Sequence, residues 1–250
     1  MKITTILAAS AALTLLSGCG GDGTGNATGN ATSTSAAVAA PKGTVWTETV
    51  VATPEGGFRM GNPNAPVKLI EYGALSCPHC REFAEKSTPE LKALVDKGTV
   101  SFEFRTFLLG PQDLPLAVLA RCGGAGPFFP IAEQMYVNQA SLMDALHNLT
   151  PEEQKGMAAM QPIGVTKFLA DKMGVVAFVQ QRGISAEKAN ACLADPKTFT
   201  DLEKLTQVGI KDFKVEGTPT FVLNGVTIKD FSDTEELWVQ LKRRLIGAGG

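Results

Sequence analysis

Residues 77–80 read Cys-Pro-His-Cys, and these four positions restrict the fold more than any others in the chain. Two thiols three positions apart share one helical turn and can close on each other, which makes a reversible two-electron switch from side chains alone. The surrounding pattern supplies the helix. Residues 67–72 form a short β-type run after Asn64-Ala65-Pro66 and end at Gly73. Beyond it Cys80, Phe83, Ala84, Leu91, Leu94 and Val95 fall near one helical face over residues 78–97. Pro78 suits a first helical position, where its missing N–H costs nothing, and Gly98 marks the end. Pro89 is expected to kink or interrupt this helix. Val100, Phe102 and Phe104 then alternate with Ser101, Glu103 and Arg105, the period of a strand. Strand, helix and strand so close together form a βαβ unit, with its two strands parallel.

A second motif lies far along the chain: Gly217-Thr218-Pro219-Thr220 opens an apolar run. Residues 220–223 and 226–228 flank Asn224-Gly225, a strong hairpin signal, and residues 234–246 read as a terminal helix. Between the halves, from Leu114 to Ala194, the pattern is helical and broken by Gly and Pro. Residues 45–51 and 58–60 are candidates for further strands at the start.

The chain has 250 residues, 44% hydrophobic and 19% charged, a globular composition with enough apolar material for a substantial core. A net charge of −2 gives no basic footprint for nucleic acid. The one tight basic cluster, Lys242-Arg243-Arg244, sits near the end of the terminal helix, where cations offset the dipole. Residues 1–18 read as an export signal: Lys2 precedes an apolar stretch too short to be kept as a membrane span, followed by Leu16-Ser17-Gly18-Cys19. That tetrapeptide resembles the lipobox of bacterial lipoproteins, which implies that Cys19 is lipidated and becomes the new N-terminus. Gly20 is not the aspartate that typically retains lipoproteins at an inner membrane, which points weakly to an outer one. Residues 19–43, nearly all Gly, Thr, Asn, Ala and Ser after Cys19, read as a flexible linker. Export also makes paired cysteines expected. Of five cysteines, assigning Cys19 to lipid leaves 77, 80, 122 and 192. Cys-x-x-Cys also occurs as half of a zinc site. Here the other cysteines are isolated and His147 is the one other histidine, so no metal is expected.

A βαβ half and an αββα half, separated by a helical insertion, resemble the DsbA-type thiol-disulfide oxidoreductases of the thioredoxin superfamily. Cys77-Pro78-His79-Cys80, Thr218-Pro219 and the lead-in Gly61-Asn62-Pro63-Asn64-Ala65-Pro66-Val67 carry the likeness, which covers roughly residues 55–248. It implies an α/β (α+β) thioredoxin fold over residues 44–110 and 195–250, with an inserted helical domain at 111–194. It further implies that Pro219 is a cis proline packed against the active-site disulfide, and that the backbone of Thr218 binds an extended substrate strand. Glu71 would be a buried proton relay for Cys80, and Cys122 and Cys192 a disulfide within the insertion.

The reactive form of cysteine is the thiolate. Cys77, just before the first helical turn, faces unpaired N–H groups and the positive end of the dipole; His79 adds a donor or a charge. Cys80, one turn in and on the apolar face, is expected to be the buried partner that resolves a mixed disulfide. The resemblance implies an exported, periplasmic, membrane-anchored monomer that oxidises cysteine pairs in newly secreted proteins. It needs no dissolved cofactor and is reoxidised by a membrane quinone-linked thiol oxidase of the DsbB type. Threonine before the proline is more typical of disulfide isomerases, so isomerase or reductase activity stays open. A thioredoxin-like metal chaperone or binding lipoprotein is a third reading, against which the two-residue cysteine spacing and the scarcity of histidine argue.

Overall fold

The computed structural model describes residues 36–232 and 235–250. The export segment, Cys19 and most of the linker lie outside the described residues. A hairpin of β1 (Val50–Ala52) and β2 (Phe58–Gly61) leads into β3 (Val67–Gly73), α1 (Pro78–Asp96) and β4 (Val100–Thr106). The insertion follows as α2 (Asp113–Arg121), α3 (Ala125–Val137), α4 (Gln139–His147), α5 (Pro151–Ala158), α6 (Pro162–Met173), α7 (Val175–Gln180) and α8 (Ala186–Cys192). The chain then returns to the sheet with α9 (Pro196–Phe213), β5 (Thr220–Leu223), β6 (Val226–Thr227) and α10 (Leu237–Gly247). This is the thioredoxin fold with a helical insertion that the family resemblance implies.

The described strands form one sheet in the order β1-β2-β4-β3-β5-β6. β3 and β4 are parallel, joined by the crossover through α1, and the other pairings are antiparallel. Asn224 and Gly225 both take positive φ (48° and 85°), the geometry that lets a two-residue turn match the twist of β5 and β6.

All seven residues of β4 are buried, the polar ones included, because the sheet is covered on both faces. On one face Phe102 and Phe104 meet Phe129 and Phe128 of α3, and Phe58 stacks on Phe128 at 4.0 Å between ring centroids. The insertion and the sheet therefore share one apolar core. On the other face, under α9, Glu103 and Arg105 pair at 2.7 Å, with Thr53 donating to Glu103 and Arg105 donating to the Tyr72 hydroxyl. A buried ion pair is tolerable only when its remaining hydrogen-bonding capacity is met in this way.

Several local expectations shift. α1 runs unbroken through Pro89. Glu85 and Pro89 are both exposed, so the carbonyl that loses its donor lies on the solvent side of the helix. Residues 46–48 form a 3₁₀ turn rather than the start of a strand. Trp46 is drawn inward, its Nε1 donating to Val38 O at 2.7 Å, while Val38 N donates to Lys97 O at 2.8 Å. The terminal helix begins at Leu237 rather than Thr234, which lies outside the described residues.

Candidate active site

The path from β3 into α1 places the two thiols. Cys77 is the residue capping the N-terminus of α1, in extended backbone conformation (φ −77°, ψ 121°), and Pro78 occupies the first helical position. Both cysteines are free thiols and buried, Cys80 completely. Pro78 and His79 are exposed. From the other half of the sheet, the Thr218–Pro219 peptide, which is cis, faces this turn, and the Cys77 thiol donates to the Thr218 carbonyl at 3.3 Å. A groove of about 460 Å³ opens beside it, lined by His79, Phe83, Lys86, Thr218, Pro219 and Trp238 among others.

The electrostatics separate the two sulfurs. A hydrogen bond from the Cys80 thiol does most to stabilise the Cys77 thiolate, with the Thr218 side chain and the N–H groups of Cys80 and His79 adding to it. Against desolvation, these pull Cys77 from its ordinary value down to about 5. Burial drives Cys80 strongly the other way, reinforced by the same thiol–thiol hydrogen bond and by the negative charges of Glu71 and Cys77. The surroundings therefore favour the thiolate on Cys77 and the thiol on Cys80.

Glu71 lies beneath them in the centre of the sheet, opposite Phe104 on β4 and Phe221 on β5. Desolvation, with the Cys77 charge second, raises its carboxyl to about 8, and its Oε1 has no hydrogen-bond partner in the protein. Gly73 makes room for it: a Cβ there would stand 2.6 Å from the Phe104 ring and 2.9 Å from Glu71 Oε1.

Three residues that sequence reasoning did not single out hold the active-site turn from the insertion. Gln139 Nε2 donates to Leu75 O at 2.8 Å and to Cys77 O at 3.0 Å. The Tyr136 hydroxyl donates to Ala74 O at 3.3 Å, and the Asp113 carboxylate accepts from Ser76 N at 3.2 Å. All three are buried. Their one signal in the sequence was a polar group inside apolar helical patterns, which does not say what the group binds. Cys122 and Cys192, at the ends of α2 and α8, form a disulfide spanning 70 residues. It lies within the insertion rather than among the redox-site residues.

A helix-capping dithiol faced by a cis proline from the opposite half of the sheet defines the thioredoxin class of dithiol proteins. A thioredoxin family model matches residues 53–243, and the chain belongs to that family. Among its relatives, a putative protein-disulfide oxidoreductase of Rickettsia bellii is 27% identical over 179 residues, covering 71% of this chain and 61% of that protein. Disulfide bond formation protein D of Bacillus subtilis is 25% identical over 190 residues, 75% of this chain and 77% of that one. The matches span only 55–63% of the Rickettsia relatives' length. Among solved structures, a protein-disulfide isomerase from Novosphingobium aromaticivorans is 27% identical with a TM-score of 0.70, covering 75% of this chain and 96% of that one. The alpha-DsbA1 of Wolbachia pipientis, 19% identical with a TM-score of 0.59 over 82% of this chain and 97% of that one, shares the fold.

Proposed function

We propose that this protein is an exported thiol-disulfide oxidoreductase of the DsbA type, which introduces disulfide bonds into secreted proteins through Cys77 and Cys80. The observation that carries the reading is the split between the two sulfurs: a stabilised thiolate at Cys77 beside a buried thiol at Cys80. Stabilising the thiolate stabilises the reduced state, which makes the disulfide an oxidant.

In the oxidised protein a client thiolate attacks Cys77 Sγ, the Cys77–Cys80 bond breaks, and its electron pair leaves on Cys80. Glu71 donates the proton that neutralises that sulfur. The second client thiolate then attacks the client sulfur in the mixed disulfide, and Cys77 departs as a thiolate. Two electrons have moved from client to enzyme, and the client holds a new disulfide. The cis turn at Thr218-Pro219 offers a carbonyl beside Cys77 for an extended client segment. A membrane quinone-linked, DsbB-like thiol oxidase would take the electrons onward. The lipobox-like Cys19 and the linker behind it support a periplasmic lipoprotein as the working form.

Two observations favour a second reading, an isomerase or reductase that works from the dithiol. Threonine precedes the cis proline, and the Novosphingobium neighbour bears the name protein-disulfide isomerase. The reduction potential of the Cys77–Cys80 pair, equilibrated against glutathione, separates the two. An oxidase gives a potential well above that of thioredoxin; a thioredoxin-like value overturns the oxidase reading. Trapping with Cys80→Ser in cells then identifies the clients attached at Cys77.

A further inference from the structure

Ser87 sits where the apolar stripe of α1 calls for a hydrophobic residue. Its neighbours one turn to either side are Phe83 and Leu91, and all three face the core. A buried hydroxyl costs stability unless it is hydrogen-bonded, yet Ser87 Oγ has no partner in the protein. Glu71 Oε1 is in the same position. Both residues line one cavity of about 40 Å³, walled otherwise largely by Met60, Phe102, Phe104 and Phe129. Buried polar atoms are rarely left unsatisfied, and a cavity of this size with polar groups in its lining holds roughly two or three waters.

The same cavity reaches the surface away from the cysteines. Thr88, Lys92, Glu133 and Tyr136 line both it and an open groove of about 350 Å³ between α1 and α3. Lys92 Nζ lies 2.7 Å from Glu133 Oε1 and 2.8 Å from Oε2, with each side chain about one-third exposed. This ion pair spans the two helices where the cavity meets the groove. The groove beside Cys77 is lined by a different set of residues, which shares only Phe83 with the cavity.

We propose that the proton exchanged between Cys80 and Glu71 passes to and from solvent between α1 and α3, by way of Ser87 and water, with the Lys92–Glu133 pair at the outer end. The inference rests on Glu71 acting as the proton relay. A rear exit answers a need of that chemistry. Cys80 must gain or lose its proton while a client is covalently attached to Cys77 and fills the front groove. When the disulfide opens, the S–S electron pair passes to Cys80, Glu71 gives up its proton, and solvent replaces that proton through the rear path. Closing the disulfide runs the same transfers in reverse. Ser87, Lys92 and Glu133 are positioning residues in this scheme: they carry or admit the proton but do not touch the reacting sulfurs.

The test follows disulfide opening in the purified protein by stopped flow, with a reduced, unfolded cysteine-containing protein as the reductant, so that the front groove is filled, and Cys77 thiolate absorbance as the signal. Ser87→Val fills the path and removes its hydroxyl, while Ser87→Thr keeps the hydroxyl. Lys92→Met alters the exit at a partly exposed site and leaves the core intact, so one arm survives if Ser87→Val folds poorly. Ser87→Val and Lys92→Met are expected to slow opening about tenfold, less than the roughly hundredfold or more that a lost general acid or base costs, because neither residue touches the reacting sulfurs. The solvent isotope effect should grow in both, Ser87→Thr should stay near the parent rate, and the Cys77 ionisation curve should not move. If Glu71→Gln slows opening while Ser87→Val and Lys92→Met do not, the proton leaves by the front groove and the proposed path is wrong. If Glu71→Gln is as fast as the parent, the relay itself falls, and the path with it.

Discussion

Gln139, the first residue of α4, donates its side-chain amide to the carbonyl of Cys77 at 3.0 Å. The insertion thus holds the very peptide that caps α1, and through it the direction of the N–H groups that stabilise the Cys77 thiolate. That carbonyl also accepts the first helical hydrogen bond, from Arg81 N at 3.1 Å. Gln139→Leu keeps most of the volume but removes the donor, leaving the Leu75 carbonyl without this bond and the Cys77 carbonyl with one bond fewer. A loss of about 1–3 kcal/mol in chemical denaturation is expected. Faster amide exchange confined to residues 75–80 would tie that loss to the active-site turn, and uniform exchange would contradict it.

The disulfide between Cys122 and Cys192 closes a loop of 70 residues wholly within the insertion. Replacing both cysteines by serine frees that loop in the unfolded chain and should cost about 4 kcal/mol on the chain-entropy model. Thiol exchange at Cys77 should persist at temperatures where the variant stays folded. A Cys77 ionisation curve that moved with the double replacement would instead make this bridge part of the redox site.

Lowering the Cys77 pKa to about 5, against the ordinary thiol value of 9.0, ties the reduced protein's stability to pH. Between these values the unfolded thiol keeps its proton and the folded one does not, so this thiol's contribution to the stability of the reduced form rises with pH. The oxidised form has no such group. The melting temperature of the reduced protein minus that of the oxidised protein should therefore grow from pH 5 toward pH 9, and shrink as pH falls through 5. Parallel melting curves for the two forms across this window would count against the depressed thiol.

The redox turn and the sheet around it were legible because their signals are local. Two cysteines on one turn, a proline at the helix start, alternating Val100, Phe102 and Phe104, and Asn224-Gly225 each specify geometry over a few residues. What supports the site was not legible. Asp113, Tyr136 and Gln139 act across 37 to 64 residues of chain, on backbone carbonyls and N–H groups that carry no sequence identity. Glu103 and Arg105 occupied the polar positions of an alternating strand. Only the packing of α9 over that face turns them into a buried pair. Pro89 misled for a related reason: its cost depends on whether the freed carbonyl meets water, which the helix's orientation decides. The role proposed for Ser87 is invisible in sequence, since a serine in an apolar stripe has meaning only beside the cavity it lines.

Glu71 offers the sharpest test of the site's electrostatics. Its carboxyl is raised from 4.5 to about 8 by burial and by the Cys77 charge. Between those values the folded protein holds a proton that the unfolded chain has released, so this group's contribution to stability is fully present below pH 4.5 and lost as pH rises through 8. Glu71→Gln keeps the shape and cannot ionise. The variant should match the parent near pH 4, then gain on it as pH rises, by about 3–5 kcal/mol at pH 8 and above. Its thiol-disulfide exchange should be slower at the same time, since in the proposed mechanism Cys80 loses the group that supplies and accepts its proton. Chemical denaturation of both proteins across pH 4–9 checks the first expectation, and stopped-flow exchange checks the second. A variant less stable than the parent at high pH would mean that the Glu71 carboxylate is held by a partner rather than stranded among Phe104, Phe221 and the two sulfurs.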